Sequence, residues 1–208
     1  MSLRQYVRRH LTIVICLLLI GYGIAVYIQS ACPEKIGQTQ VRGMKIAFDP
    51  IYNDDGSMFH AKLNIGYRQG LLILESVLGL VCIWIMYKMV LYYRIFFGMK
   101  SWWSYFVDFG CAAAIARVLI HLTGQYVLDY LYIWVSNSTY DFFDFCIGIC
   151  VVGMLIWFIP ACVKYYKYKH EKTKGMHFWE KFKWEIWFSV EMTKMLFCPI
   201  KAWWKDIN

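Results

Sequence analysis

Residues 142–163 read FFDFCIGICVVGMLIWFIPACV, a run in which the one charged side chain is Asp144, at the third position. A helix needs about 20 apolar residues, with a range of roughly 17–25, to cross the hydrocarbon of a bilayer, and this run has that length and character. Three further stretches match it: residues 11–28, about 71–87 and about 102–127. Backbone groups in lipid must be satisfied within their own segment, so all four are expected as helices. The composition agrees. Of 208 residues 60% are hydrophobic and 17% charged, with a mean hydropathy of +0.42, where a soluble domain carries about 25% charged residues. Too few polar side chains remain to cover a water-facing surface, which excludes a soluble enzyme, and the same figures exclude disorder. The expected class is an all-α membrane protein of four transmembrane helices.

The net charge is +8, from 22 Lys and Arg against 14 Asp and Glu. Ten of the basic residues lie between Lys164 and Lys205, and Arg4, Arg8 and Arg9 precede the first apolar run. Basic residues concentrated beside spans mark cytoplasmic flanks, so no nucleic-acid partner is expected. Counting flanks, sixteen Lys and Arg fall on the side that carries both termini and five on the other. Both termini are therefore expected in the cytoplasm. The first run is longer than a cleaved signal's apolar region, and Gln29 stands where a lipobox before Cys32 takes Leu, so it reads as a retained span. Cys16, Cys82, Cys111, Cys146, Cys150 and Cys162 sit inside apolar runs and read as small hydrophobes. Cys32 has no outer partner and no CxxC occurs, so neither a disulfide nor a zinc site is expected, and His60 and His121 have no companion ligands at suitable spacing. No metal and no organic cofactor is expected.

Between the first two spans, residues of about 30–69 contain Pro33, Gly37, Gly43, Pro50, Gly56 and Gly66 and alternate in character from Val41 to Phe48. This segment is expected to form a small, turn-rich β lobe on the outer surface, with the second outer connection, 129–141, a short link. Residues 1–170 would make the membrane domain and 171–208 an amphipathic tail. In that tail Phe178, Phe182, Ile186 and Leu196 fall on one helix side and Glu180, Lys183, Glu191 and Lys194 on the other. Rich in Trp and Lys, it reads as a helix on the inner membrane face or, equally, as one packed on the bundle.

Ionisable residues inside or beside spans are costly and mark candidate sites. Here they are Glu75, Asp108, Arg117, Asp129, Asp141 and Asp144. The third span runs outward and the fourth inward, so Asp129, Asp141 and Asp144 share the outer surface. Two readings of them stay open. In one, Asp129 and Asp144 form an aspartyl dyad sharing a proton, one activating water and the other polarising a carbonyl. In the other, Ser138, Thr139 or Asp141 caps the fourth helix and Asp129 is a solvated helix end. Arg117, His121 and Gln125 follow at four-residue spacing, a polar stripe suited to a hydrated groove, or else Arg117 pairs with Glu75. Asp108, nearer the cytoplasmic end, reads as structural.

Three stretches resemble the lipoprotein signal peptidase (signal peptidase II) family. Asp54-Asp55-Gly56-Ser57-Met58-Phe59 is similar to its N-x-G-A-A-F motif, with Asp54 in the Asn place. Tyr140-Asp141-Phe142-Phe143-Asp144 is similar to F-N-x-A-D, and Ile147 to Leu155 continues with a run like I-x-x-G-x-x-L. Leu128-Asp129-Tyr130 falls where the family has the aspartate of G-N-x-x-D-R. Tyr130 replaces that motif's Arg, Gln125-Tyr126 its Gly-Asn, Asp141 an Asn, and the first-helix D-x-x-x-K pattern is missing from Gly21 to Gln29. The resemblance covers about residues 8–163. It implies four helices in a bacterial cytoplasmic membrane with a β lobe after the first, and an active site near the outer surface. It further implies a cofactor-free aspartyl endopeptidase that cuts lipid-modified prolipoproteins before a diacylglyceryl-cysteine. Asp129 and Asp144 would be catalytic. Asp54, Gly56, Arg117 and Asp141 would position substrate, with the lobe and membrane lipids lining its path. A non-catalytic relative that binds lipid-modified peptides or a membrane partner is the alternative, and a small transporter or channel subunit with an acidic mouth is a third.

Overall fold

In the computed structural model, residues 3–38, 45–53 and 68–197 are described. Four helices are long and apolar enough to cross a membrane: α1 (Leu3–Ala31), α2 (Gln69–Phe97), α3 (Ser104–Leu122) and α4 (Phe142–Thr173). A fifth, α5, spans Phe178–Phe197. The protein is a multi-pass membrane protein, as the sequence predicts. Large apolar side chains such as Leu19, Val26, Leu74, Leu155 and Ile159 stand exposed on the bundle's outside. In water that surface would aggregate; in a bilayer it is the lipid-facing coat.

The core is built around α3. Its Ala112, Ala113 and Ala116 are fully buried. They pack on Val14 and Leu17 of α1 on one side and on Phe143 and Cys146 of α4 on another. Association of helices in lipid rests on close packing rather than on expulsion of water, which favours small residues at the contact. Gly110 shows the tolerance: a Cβ there would stand 2.6 Å from Cδ1 of Ile83 and 2.7 Å from Sγ of Cys150. A second cluster, around Val90, Trp103, Val107, Trp157 and Ala161, joins α2, α3 and α4 and takes in Phe188 of α5.

At the bundle end formed by the start of α3, a buried polar knot ties three helices. His10 Nδ1 of α1 lies 2.7 Å from Oδ2 of Asp108 on α3. The Tyr87 hydroxyl of α2 donates to the same carboxylate, and Ser104 Oγ lies 3.2 Å from His10 Nε2. Asp108, 0% exposed, thus takes the structural part expected of it.

At the opposite end three antiparallel strands form one sheet in the order β1-β2-β3: β1 (Ile46–Asn53), β2 (Val127–Ile133) and β3 (Ser138–Tyr140). This revises two expectations. The lobe is shared between the α1–α2 and α3–α4 connections, with two of its three strands coming from the one read as a short link. And α3 ends at Leu122 rather than near Val127. Gly124, at φ +67°, closes the helix, with Gly124 N donating to His121 O at 3.2 Å and Gln125 N to Ile120 O at 3.2 Å. That is a Schellman closure, which takes a glycine in the left-handed region. Apolar Tyr126 and Val127 beyond it belong to the strand and its approach.

The tail forms the helix its spacing predicts, but the face turned to the bundle is Trp184, Phe188 and Met192, not the row of Phe178, Phe182 and Ile186. Trp184 and Phe188 stack on each other and meet Tyr165 and Tyr168 of α4, and Lys169 pairs with Glu185.

Candidate active site

Asp129 is on strand β2, not at a helix end. The pairing of Ile51 with Asp129 and of Asn53 with Val127 makes Asn53 and Asp129 diagonal neighbours. Diagonal residues on one sheet face are within side-chain reach, and Asn53 Nδ2 donates to Asp129 Oδ2 at 3.0 Å. A register slip of one residue would turn Asp129 to the other face. Asn53 is the site residue that sequence reasoning missed, since only the strand register brings it here.

Asp141 is the N-cap of α4. Its Oδ1 accepts from Asp144 N at 2.9 Å, while Asp144 Oδ2 accepts from Asp141 N at 3.1 Å, a reciprocal capping box with Asp in both places. The box satisfies orphan backbone donors of the first turn, which also favours negative charge there. Capping therefore holds for Asp141, and it fixes the rotamer of Asp144.

Arg117 of α3 reaches both carboxylates, with Nη2 2.9 Å from Asp141 Oδ1 and 2.7 Å from Asp144 Oδ1. The counter-charge proposed from sequence, Glu75, lines the same cavity, but the ion-pair partners of Arg117 among the described residues are these two aspartates. His121 lines the cavity one turn further on, whereas Gln125 falls beyond the helix end. Asp54 and Gly56 lie outside the described residues.

The strand, the helix start and Arg117 bring one oxygen each from Asp129, Asp141 and Asp144 within 4.8 Å of one another. Burial pushes the Asp129 carboxyl up to about 7, with the charges of Asp144 and Asp141 adding to it; Arg117 and the Asn53 hydrogen bond pull the other way. Burial also raises Asp141, to about 6, against the opposing pull of Arg117 and with the charge of Asp144 raising it. Near neutral pH, then, one deeply buried carboxyl holds a proton beside a carboxylate paired with arginine. Three carboxylates are also a donor set for a hard divalent cation. Here the guanidinium already bonds two of them, a bulky cation set where a metal would sit.

The cluster stands at the mouth of a cavity of about 680 Å³ that runs down between α2, α3 and α4. Its sheet end has Asn53, Ser138, Thr139, Arg117, Asp129 and Asp144; further along the helices it is lined by Ile83, Met86, Ile147 and Val151. Polar groups converging at one end of an apolar cleft are the usual make-up of a binding site.

No protein-family profile matches the chain, and no curated protein sequence matches it. Among solved structures, one described as a bacterial membrane enzyme, determined by the in meso method at 2.3 Å resolution, is similar with a TM-score of 0.56. The match covers 83% of this chain and 94% of that one at 12% identity. The chain has the fold of a bacterial membrane enzyme; at this identity the likeness speaks for architecture and leaves the chemistry to the residues.

Proposed function

We propose that this protein is an aspartyl endopeptidase of the signal peptidase II type, set in a bacterial cytoplasmic membrane with its termini inside and its site near the outer surface. The observation that carries the reading is the convergence of Asp129, Asp144 and Arg117 at the mouth of an apolar cavity. Asp144, fixed by the capping box and Arg117, is the base: it takes a proton from water as the oxygen attacks the scissile carbonyl. Asp129, protonated near neutrality, donates to the carbonyl oxygen, and collapse of the tetrahedral adduct passes a proton to the leaving amine. The two carboxyl groups exchange roles over the cycle, and hydrolysis needs no other cofactor.

The cavity's depth fits an acyl chain better than a peptide side chain. A prolipoprotein whose cysteine carries diacylglycerol would lay its lipid between α2 and α4 and present the bond just before that cysteine to the aspartates. In this scheme Asp54 and Gly56 hold the substrate backbone, alongside Asp141 and Arg117. The test is cleavage of a diacylglyceryl-modified prolipoprotein in liposomes by wild type, Asp129→Asn and Asp144→Asn. Cleavage by wild type alone is expected, with each variant reduced by about 10³-fold or more. Turnover retained in either variant overturns the dyad.

One observation favours a second reading, a non-catalytic relative that binds lipid-modified peptides. Both oxygens of Asp144 already hold structural bonds, one to Arg117 and one to the Asp141 amide. Binding without turnover, unchanged in Asp129→Asn, would establish it.

A further inference from the structure

α5 has two apolar faces. Trp184, Phe188 and Met192 are spent on the bundle. Phe178, Phe182, Ile186 and Val190 follow at four-residue spacing on the other side, flanked by Trp179 and Trp187, and these six are 45% to 74% exposed. A helix with apolar residues on both sides is stable only when both are covered.

The height of α5 along the bundle identifies the cover. The sequence of α4 changes from apolar to lysine-rich at Val163-Lys164, which marks the edge of the hydrocarbon. The ring of Phe188 stands 5.6 Å from that of Tyr165, within one turn of the edge, and Phe188 joins a cluster that includes Trp157 and Ala161 from the last turns of the span. The exposed face of α5 is therefore held at headgroup level. The charges fit the same place: residues 164–197 contain eight Lys and four Glu. Lys183 and Lys194, expected on the opposite side, fall at the margin of the apolar row once Val190 is counted in it, and Lys194 also pairs with Glu191 at 2.8 Å. Trp and Phe over an apolar face with lysines at its margin are the features of a helix seated in an anionic interface.

We infer that the outer face of α5 is a docking surface for anionic lipid headgroups of the leaflet at that end of the bundle, with its aromatic row entering the acyl boundary and Lys183 and Lys194 meeting the phosphates. The helix is tied to the membrane on one side and to α2 and α4 on the other, so it fixes the depth of the bundle independently of any catalytic step.

The experiment uses the full chain in phosphatidylcholine vesicles with and without phosphatidylglycerol. A photoreactive benzoylphenylalanine replaces Ile186, which is half exposed on that face. Illumination is expected to give a lipid adduct by mass spectrometry, with phosphatidylglycerol enriched over its share of the vesicle. Lys183→Glu with Lys194→Glu should bring phosphatidylglycerol in the adduct back to its share of the vesicle, since both lysines at the margin of the face are then acidic. A cross-linked dimer in place of the lipid adduct would assign the face to a second copy and overturn the proposal. Absence of any adduct would place the face in water and overturn it too. A lipid adduct without preference for phosphatidylglycerol would overturn the anionic specificity.

Discussion

The behaviour of Asp129 with pH follows from where its proton is held. Its folded-state pKa is pushed up to about 7, while the unfolded chain returns it to about 3.9. Between those values the folded protein binds a proton that the unfolded chain has lost, so stability falls as pH rises through the window. At about 1.4 kcal/mol per unit the loss is of order 4 kcal/mol by pH 7. Asp129→Asn should flatten this slope, leaving the part below about pH 6 that the raised Asp141 contributes, and leave the protein more stable than wild type above neutrality; thermal unfolding in detergent at about pH 4 and about pH 8 checks it. In the proposed peptidase, cleavage should decline above about pH 7, because the acid then lacks its proton. Asn53 refines the forecast. Its amide donates to the carboxylate and so favours the charged form; in Asn53→Leu the Asp129 carboxyl rises further, and the alkaline fall of the rate profile moves to higher pH with turnover down about tenfold. A purely structural Asn53 would lower stability and leave the profile in place. Arg117→Gln leaves the buried Asp141 and the partly exposed Asp144 without their cation and should cost about 3 kcal/mol in unfolding free energy, with partial recovery in Arg117→Lys.

Single elements show what the sequence discloses and what it hides. The start of α4 is legible to the residue because an apolar run, a capping aspartate and a length requirement agree at Phe142. The strands β2 and β3 are not. The strand β1, on which β2 pairs, lies some 80 residues earlier, with Ile46 opposite Ile133, and no local pattern announces a contact of that range; β3 in turn pairs on β2. The end of α3 is hidden for a related reason: Tyr126 and Val127 prolong the apolar pattern past a turn signalled by Gly124 alone. Asp129 and Asp144 could be named from the chain, but the bond from Arg117 to Asp144 depends on how α3 and α4 are rotated against each other, which spacing within one helix cannot give. That contact is where a substitution can be forecast. At Gly153 of α4 an added Cβ would run into the ring of Phe106 on α3, whose Cγ and Cδ1 cannot swing clear as a flexible tip could. Gly153→Ala should therefore destabilise by about 1–3 kcal/mol, read as a lowered unfolding midpoint, whereas Gly148→Ala on the same helix meets nothing and should gain slightly from helix propensity.

Across the whole molecule, two clusters of paired polar groups stand at opposite ends of the bundle, one sealed among packed side chains and one lining a cavity. The layer under the sheet holds Arg117 and the aspartates at the mouth of the cleft. The other, His10 with Asp108, Tyr87 and Ser104, is sealed: Asp108 and Ser104 are both 0% exposed. Its members have a nucleophile, a ring nitrogen and a carboxylate in hydrogen-bonding sequence, yet with no space beside Ser104 for a substrate they act as a tie. That tie joins α1 to α3 beside the apolar contacts of Val14 and Leu17 with Ala112 and the bond from the Tyr22 hydroxyl to Ala116 O at 3.3 Å. His10→Ala leaves the Asp108 carboxylate buried with one partner fewer, and the expected cost is about 3 kcal/mol. Because no residue of α1 lines the cleft, the same substitution should leave the pH profile of cleavage and the binding of lipid-modified peptide unchanged in whatever fraction stays folded. Unfolding midpoints and rate profiles measured together on His10→Ala and Asp129→Asn then separate the two layers: the first variant should move the midpoint alone at every pH, and the second should change the pH dependence of both. A shifted rate profile in His10→Ala would mean that the layers communicate, and that the sealed end belongs to the chemistry.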